Sequence, residues 1–348
     1  HELVFAIQQR HLKDLEEVVR ERSNPNGHKY QQWLTSEQVA NLTSNAAGTK
    51  TVENWLQELG ANVTWKSVHG DYIRATAPLF VWEDALATEF HQFELTTESM
   101  GDSKVKMLHR ADHYSLPSHV REHLSAVFNT IQTPSQLSAK HFMLDGFAEQ
   151  SVGSNLRKRA AAVGSVTVEF LNTYYEIANH TGNANHQQAV FQTADEYFCP
   201  NDLRQFQRNH NIPDQEAVAP YGYSTTNCLT NSCSKGNLDM QYLMGIAQNT
   251  STIYWYTAQS DTSDPLVDWI TAVANTPAPP QVNIITWSTS ERDLTDDVLD
   301  AFNTEALKLA AMGVTLLVSS GDNGAAGAST LCATESSVSV TLLGTMYA

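Results

Sequence analysis

Residues 306–327 read ALKLAAMGVTLLVSSGDNGAAG. Ala306, Leu307, Leu309 and Ala310 recur at helical spacing, and Gly313 stands where a C-cap glycine would end the run. Val314 to Val318 follows as a short, nearly continuous apolar run, which predicts a strand covered on both faces. Ser319 to Gly324 then breaks into a turn. Helix, buried strand and Gly-rich turn place one carboxylate, Asp322, at the carboxyl end of a strand, where open α/β sheets hold ligands and do chemistry. Taken alone, the segment also admits a plainer reading of Asp322, an Asx-type bond to its own turn.

The rest of the composition narrows the options. A chain of 348 residues is long enough for two domains, and 41% hydrophobic with 17% charged residues is an ordinary globular balance. A formal net charge of −17 argues against a nucleic-acid or anionic-membrane partner. No apolar stretch approaches the roughly 20 residues that span a bilayer. The first residue, His1, is not an initiator methionine, which suggests removal of a leader. Sequons at Asn41, Asn62, Asn179 and Asn249 point to a secretory route, with glycosylation there. Of the four cysteines, Cys228 and Cys233 bracket a short polar loop and are the favoured disulfide pair. No histidine lies close to that loop, so no metal site is expected. Secreted, or in the lysosomal or vacuolar lumen, is the location these features imply.

Periodicity gives the N-terminal organisation. Leu3–Ile7 predicts a strand and His11–Arg22 a helix, and Thr35 opens another helix with Gln38 placed for a capping box. Val52, Trp55, Leu56 and Leu59 stripe a helix that stops at Gly60. Asn62–Val68 and Asp71–Ala77 predict hairpin strands, Trp82–Phe90 a helix and His91–Thr97 a returning strand. Residues 1–134 thus read as an α+β domain. Ser135–Val163 reads as a polar linker in which Arg157, Lys158 and Arg159 are either a processing site or a solvated charge cluster. A second domain, 164–348, follows. Within it, Leu238, Met240, Tyr242, Leu243 and Ile246 predict a mostly buried helix, and Ser251–Trp255 a strand.

The element order, with YQQWLTSEQVANL, TVENWLQELGANV and FHQFEL, resembles the activation prodomain of the sedolisins, the serine-carboxyl peptidases that include the tripeptidyl peptidases. HRADHYSLPSHVREHL and VFNTIQTPSQ resemble the end of such a prodomain, which in the family is an inhibitory chaperone cut off at acid pH. ADEYFCPNDLRQFQR resembles the segment leading into the first helix of the sedolisin catalytic domain. The resemblance implies an antiparallel sheet with helices, followed by a subtilisin-like α/β domain with a parallel sheet, C-terminally incomplete.

The family comparison also assigns roles. In sedolisins the segment matching KGNLDMQYLMG carries a Glu and, four residues on, an Asp. These face the same way on a helix. The Glu is general base to a serine, and the Asp orients it. Here Asp239 stands at the Asp position and Lys235 at the Glu position. An ammonium already carries its proton in acid and cannot serve as that base. PQVNIITWS and SSGDNGAAG resemble the segment ending in the family's oxyanion Asp, which makes Asp322 its equivalent. ESSVSVTLLG resembles a family strand in which Val338 replaces a proline. The family's Gly-Thr-Ser nucleophile and its calcium loop would fall beyond Ala348, and Gly48-Thr49 and Gly344-Thr345 are followed by Lys50 and Met346. No cofactor is therefore expected in this chain. The expected function is that of a catalytically inactive sedolisin relative acting as a structural or binding component. Another polypeptide, or a copy of itself, would cover the incomplete sheet edge. The alternative is a proenzyme portion of an acid peptidase, with a peptide as substrate. A free-standing inhibitor built on the prodomain has less support.

Overall fold

The computed structural model describes residues 1–99, 102–132, 166–177, 182–218, 233–258, 264–287, Thr289 and 294–321. Asp322, Cys228, Asn179 and the triplet Arg157, Lys158, Arg159 lie outside these described residues.

Two sheets organise the chain. In the N-terminal part, β1 (Glu2–Ile7) is followed by α1 (Leu12–Ser23), α2 (Ser36–Thr43) and α3 (Ala46–Glu58). Then come β2 (Asn62–Lys66), β3 (Tyr72–Thr76), α4 (Leu79–Leu86), β4 (His91–Ser99), β5 (Asp102–Arg110), α5 (Ser118–Arg121) and β6 (Leu124–Phe128). The strands form an antiparallel sheet in the order β2-β3-β1-β6, with β4 and β5 as a separate two-stranded hairpin. The β1 pleat sends Leu3, Phe5 and Ile7 to one face, where they pack with Val52, Leu56 and Trp82 of α3 and α4. Its other face carries Val4 and Ala6.

The second part contains α6 (Val168–Tyr174), β7 (Gln187–Gln192), α7 (Pro200–Asn209), α8 (Ser234–Ile246) and β8 (Ser251–Tyr256). It continues through α9 (Pro265–Ala274), β9 (Val282–Ile285), α10 (Asp296–Ala311) and β10 (Thr315–Val318). The strands pair in parallel in the order β10-β9-β7-β8. Met240 and Met244 of α8 pack with Leu203 of α7 against Val190 and Tyr254 on one face. Trp269 and Ile270 of α9, with Phe302 and Leu309 of α10, cover Phe191, Ile253 and Ile285 on the other. Helices on both faces are what a parallel sheet requires. The outer sides of α9 and α10 then meet the free face of the N-terminal sheet, where Val267, Val298 and Ala301 pack with Val4, Ala6, Tyr72, Ala126 and Phe128.

The expected mixed architecture, antiparallel then parallel, is present. Several local expectations need correction. The run 314–318 is not covered on both faces: among the described residues β10 pairs only with β9, and Leu317 is 50% exposed. On α8, Leu238 is 55% exposed, and the buried positions are Gly236, Met240, Met244 and Gly245. The helix expected over 82–90 starts at Leu79, behind Pro78, and stops where Ala87 turns left-handed (φ 47°). The strand from His91 does not return to the main sheet, because its register partner is β5.

Candidate carboxylate site at the ends of the parallel strands

Gln192 is the last residue of β7, and Thr286 and Trp287 directly follow β9, so the strands deliver three polar groups to their carboxyl ends. Helix α8 delivers two more, Lys235 in its first turn and Asp239 one turn later. Asp239 Oδ2 accepts hydrogen bonds from Gln192 Nε2 at 2.5 Å and from Thr286 Oγ1 at 2.7 Å. Lys235 Nζ lies 3.6 Å from the same oxygen and 5.6 Å from the centre of the Trp287 ring. Trp287 Nε1 in turn donates to Gln192 Oε1 at 2.9 Å. Gln192 is thereby held at both ends of its amide.

The setting is dry. Side-chain exposure is 18% for Lys235 and 9% for Asp239, so their pairing is no solvated surface contact. The Lys235 ammonium thus faces both the Asp239 carboxylate and the indole ring.

Glu196 sets the start of α8. Its Oε1 accepts from the backbone N–H groups of Lys235 at 2.7 Å and Gly236 at 3.1 Å. The N-cap residue, Cys233, makes no side-chain capping bond, so this buried carboxylate satisfies N–H groups that the helix cannot. Gly236 is needed for the approach, since a Cβ there would fall 2.1 Å from the Tyr197 carbonyl oxygen. Tyr254 donates its hydroxyl to the Glu196 backbone oxygen at 2.7 Å. Burial, reinforced by Glu196 and Asp239, pushes the Tyr254 phenol far above its usual range and keeps it a donor.

The structure therefore brings Lys235 and Asp239 together, one turn apart on α8. It adds four residues that sequence reasoning missed: Gln192, Glu196, Thr286 and Trp287. Gln192 and Thr286 had a signal, each a polar residue ending an apolar strand run. Glu196 had none, because its role depends on a helix that begins 38 positions later in the chain. Among the sequons, Asn41, Asn62 and Asn249 are exposed. Cys233 takes part in a disulfide, and Cys199 is a free thiol. Among the described residues no group of three or more His, Cys, Asp or Glu side chains is arranged to hold a metal ion, and no helix is long and apolar enough to cross a membrane.

Several known proteins are similar to this chain. Residues 1–133 match the family model described as the pro-kumamolisin activation domain. The chain is 28% identical over 335 residues to tripeptidyl-peptidase 1 of Pan troglodytes and of Homo sapiens, covering 93% of this chain and 56% of the relative. The Rattus norvegicus protein matches at the same identity and coverage. The chain thus spans little more than half the length of these relatives. A Pseudomonas sedolisin (serine-carboxyl proteinase) complexed with two molecules of pseudo-iodotyrostatin superposes over 47% of this chain and 46% of its own, with a TM-score of 0.34 and 20% identity. On the sequence matches, residues 1–133 resemble a pro-kumamolisin-type activation domain and the chain as a whole is similar to tripeptidyl-peptidase 1.

Proposed function

We propose that the carboxylate site of this chain does no peptidase chemistry and that the chain works as a structural or binding component. It is divided into an activation-type domain (1–134), a linker (135–163) and a subtilisin-like catalytic-type domain from 164 onward. One observation carries this reading: the Lys235 ammonium sits 3.6 Å from Asp239, at the helical position where the family resemblance puts the general base. A base must take a proton from a hydroxyl, and an ammonium has no lone pair to do so. The Asp239 oxygen that the ammonium approaches is already engaged by Gln192 and Thr286. An acidic lumen on the secretory or lysosomal route fits the exposed sequons and the acidic composition.

A second reading has support of its own. The chain covers 56% of its relatives' length, and Asp239 keeps an ordered, hydrogen-bonded place at the strand ends. Both features suit a portion of an acid serine-carboxyl peptidase that tolerates Lys235. Hydrolysis of a tripeptidyl amide in mild acid by the natural polypeptide separates the two. The proposal expects no turnover above background. Turnover that disappears in Asp239→Ala would overturn it in favour of the peptidase.

A further inference from the structure

Helix α10 turns an acidic stripe toward the N-terminal sheet. Asp297, Asp300 and Thr304 stand at i, i+3 and i+7, on one face of the helix, and line one side of a cavity of about 60 Å³ between the two domains. Gln9, just past β1, Tyr72 of β3 and Ser125 of β6 line the other side. Among the described residues no basic side chain lines it.

Gln9 is only 8% exposed, and its amide is half satisfied. The Nε2 group donates to Glu305 Oε1 at 3.0 Å, a carboxylate oxygen that can only accept, so the amide cannot be turned round. The buried Oε1 is left without a hydrogen-bond partner. Gln9 thus brings an orphan acceptor to the wall of a cavity whose opposite wall is acidic. A buried acceptor is costly to leave unmet and is ordinarily satisfied by water or an ion.

The carboxylates are also short of partners. Asp297 Oδ2 accepts from Gln132 Nε2 at 3.1 Å, and among the described residues neither Asp297 nor Asp300 makes an ion pair. The cations of this interface are committed elsewhere. Lys308 Nζ lies 2.8 Å from Asp71 Oδ2 and 2.9 Å from Glu305 Oε2, all three side chains buried, and Arg74 pairs with Asp268 at 2.7 Å. Burial raises the Asp297 carboxyl, the Gln132 bond opposes this, and Asp300 and Asp296 reinforce it. Negative charge on the stripe is therefore crowded and unanswered by the protein.

We propose that this cavity holds a calcium ion shared by the two domains, with Asp297, Asp300 and Gln9 Oε1 as protein ligands and water completing its shell. Every donor offered is an oxygen, which suits a hard cation and not a thiolate- or imidazole-seeking metal. Calcium accepts irregular shells that mix carboxylate, amide carbonyl and water, whereas magnesium demands a near-ideal octahedron and keeps its own waters. A cavity of this size admits an ion with a few waters. Two carboxylates make a weak site, with a Kd of about 0.1–1 mM. The proposal does not depend on whether the chain hydrolyses peptides.

Calorimetric titration of CaCl₂ into the whole chain at about pH 7 and about 0.15 M KCl tests the site, the salt screening diffuse attraction to an acidic protein. The wild type is expected to take up one Ca²⁺ that Asp300→Asn binds at least about tenfold more weakly. Asp300 is exposed, so its replacement leaves the fold intact. Gln9→Met, in the other domain, should weaken uptake as well, which binding to the acidic stripe alone would not show. The absence of saturable uptake would mean that water alone fills the cavity. Uptake indifferent to Asp300→Asn and Gln9→Met would put the ion elsewhere, and either result would overturn the proposal.

Discussion

Trp33 of the N-terminal domain packs directly on Gly313, two residues past the end of α10 in the second domain. A Cβ on Gly313 would fall 2.3 Å from Trp33 Cδ1, and the Gly313 backbone is left-handed at φ +79°. The neighbouring Leu34 N–H donates to the Ala311 carbonyl at 2.9 Å, satisfying an end-of-helix acceptor. One glycine thus serves the helix terminus, the turn into β10 and the domain contact together.

Gly313→Ala is accordingly expected to lower stability by about 1–3 kcal/mol, the range for a non-glycine residue forced left-handed. The displaced Trp33 ring should change its fluorescence. Urea unfolding with tryptophan emission reads both effects, and an unchanged midpoint would show that the contact yields without cost.

Lys308→Met should be more damaging. It leaves Asp71 and Glu305 buried without their cation, a change that typically costs about 3–5 kcal/mol. Buried, unpaired carboxylates resist ionisation, so the deficit should shrink as pH falls and the groups protonate. Thermal unfolding of variant and wild type across pH checks the sign. A deficit that grows in acid would contradict the interface described here.

Glu196→Ala removes the acceptor for the N–H groups of Lys235 and Gly236. The expected loss is about 1–2 kcal/mol, as for removal of a helix cap. Glu196→Gln keeps an acceptor oxygen and should lose less. Exchange of the amides in the first turn of α8 reports this directly, and equal effects from the two substitutions would argue against capping.

Lys235→Glu places two carboxylates one helical turn apart in a poorly solvated site. Like charges at that spacing disfavour joint ionisation. This variant should be less stable than wild type at neutral pH, with the difference narrowing in acid. A stability difference independent of pH would mean that the two side chains turn away from each other.

Local chemistry made much of the fold legible. Thr35 and Gln38 form the reciprocal capping box that their spacing suggests, and Gly60 and Gly313 both take the left-handed geometry expected past a helix end. Short-range signals failed where pairing partners are distant. His91–Ser99 alternates as a strand should, but nothing local says that it pairs with β5 and not with β1. The helix at Leu79 begins behind Pro78, three positions before the apolar stripe that suggested Trp82, because proline presets the turn. Lys235 and Asp239 were singled out by the family resemblance of their segment, and their four-residue spacing accounts for the contact between them. Gln192, Glu196 and Trp287 join them only through the parallel pairing of β7 with β8 and β9, which no window of sequence contains.

The most direct test of the central claim is acid hydrolysis of a tripeptidyl amide by the natural polypeptide, wild type beside Asp239→Ala. With Lys235 holding the place of the base, both should show the same background rate. Turnover in the wild type that Asp239→Ala abolishes would contradict the account.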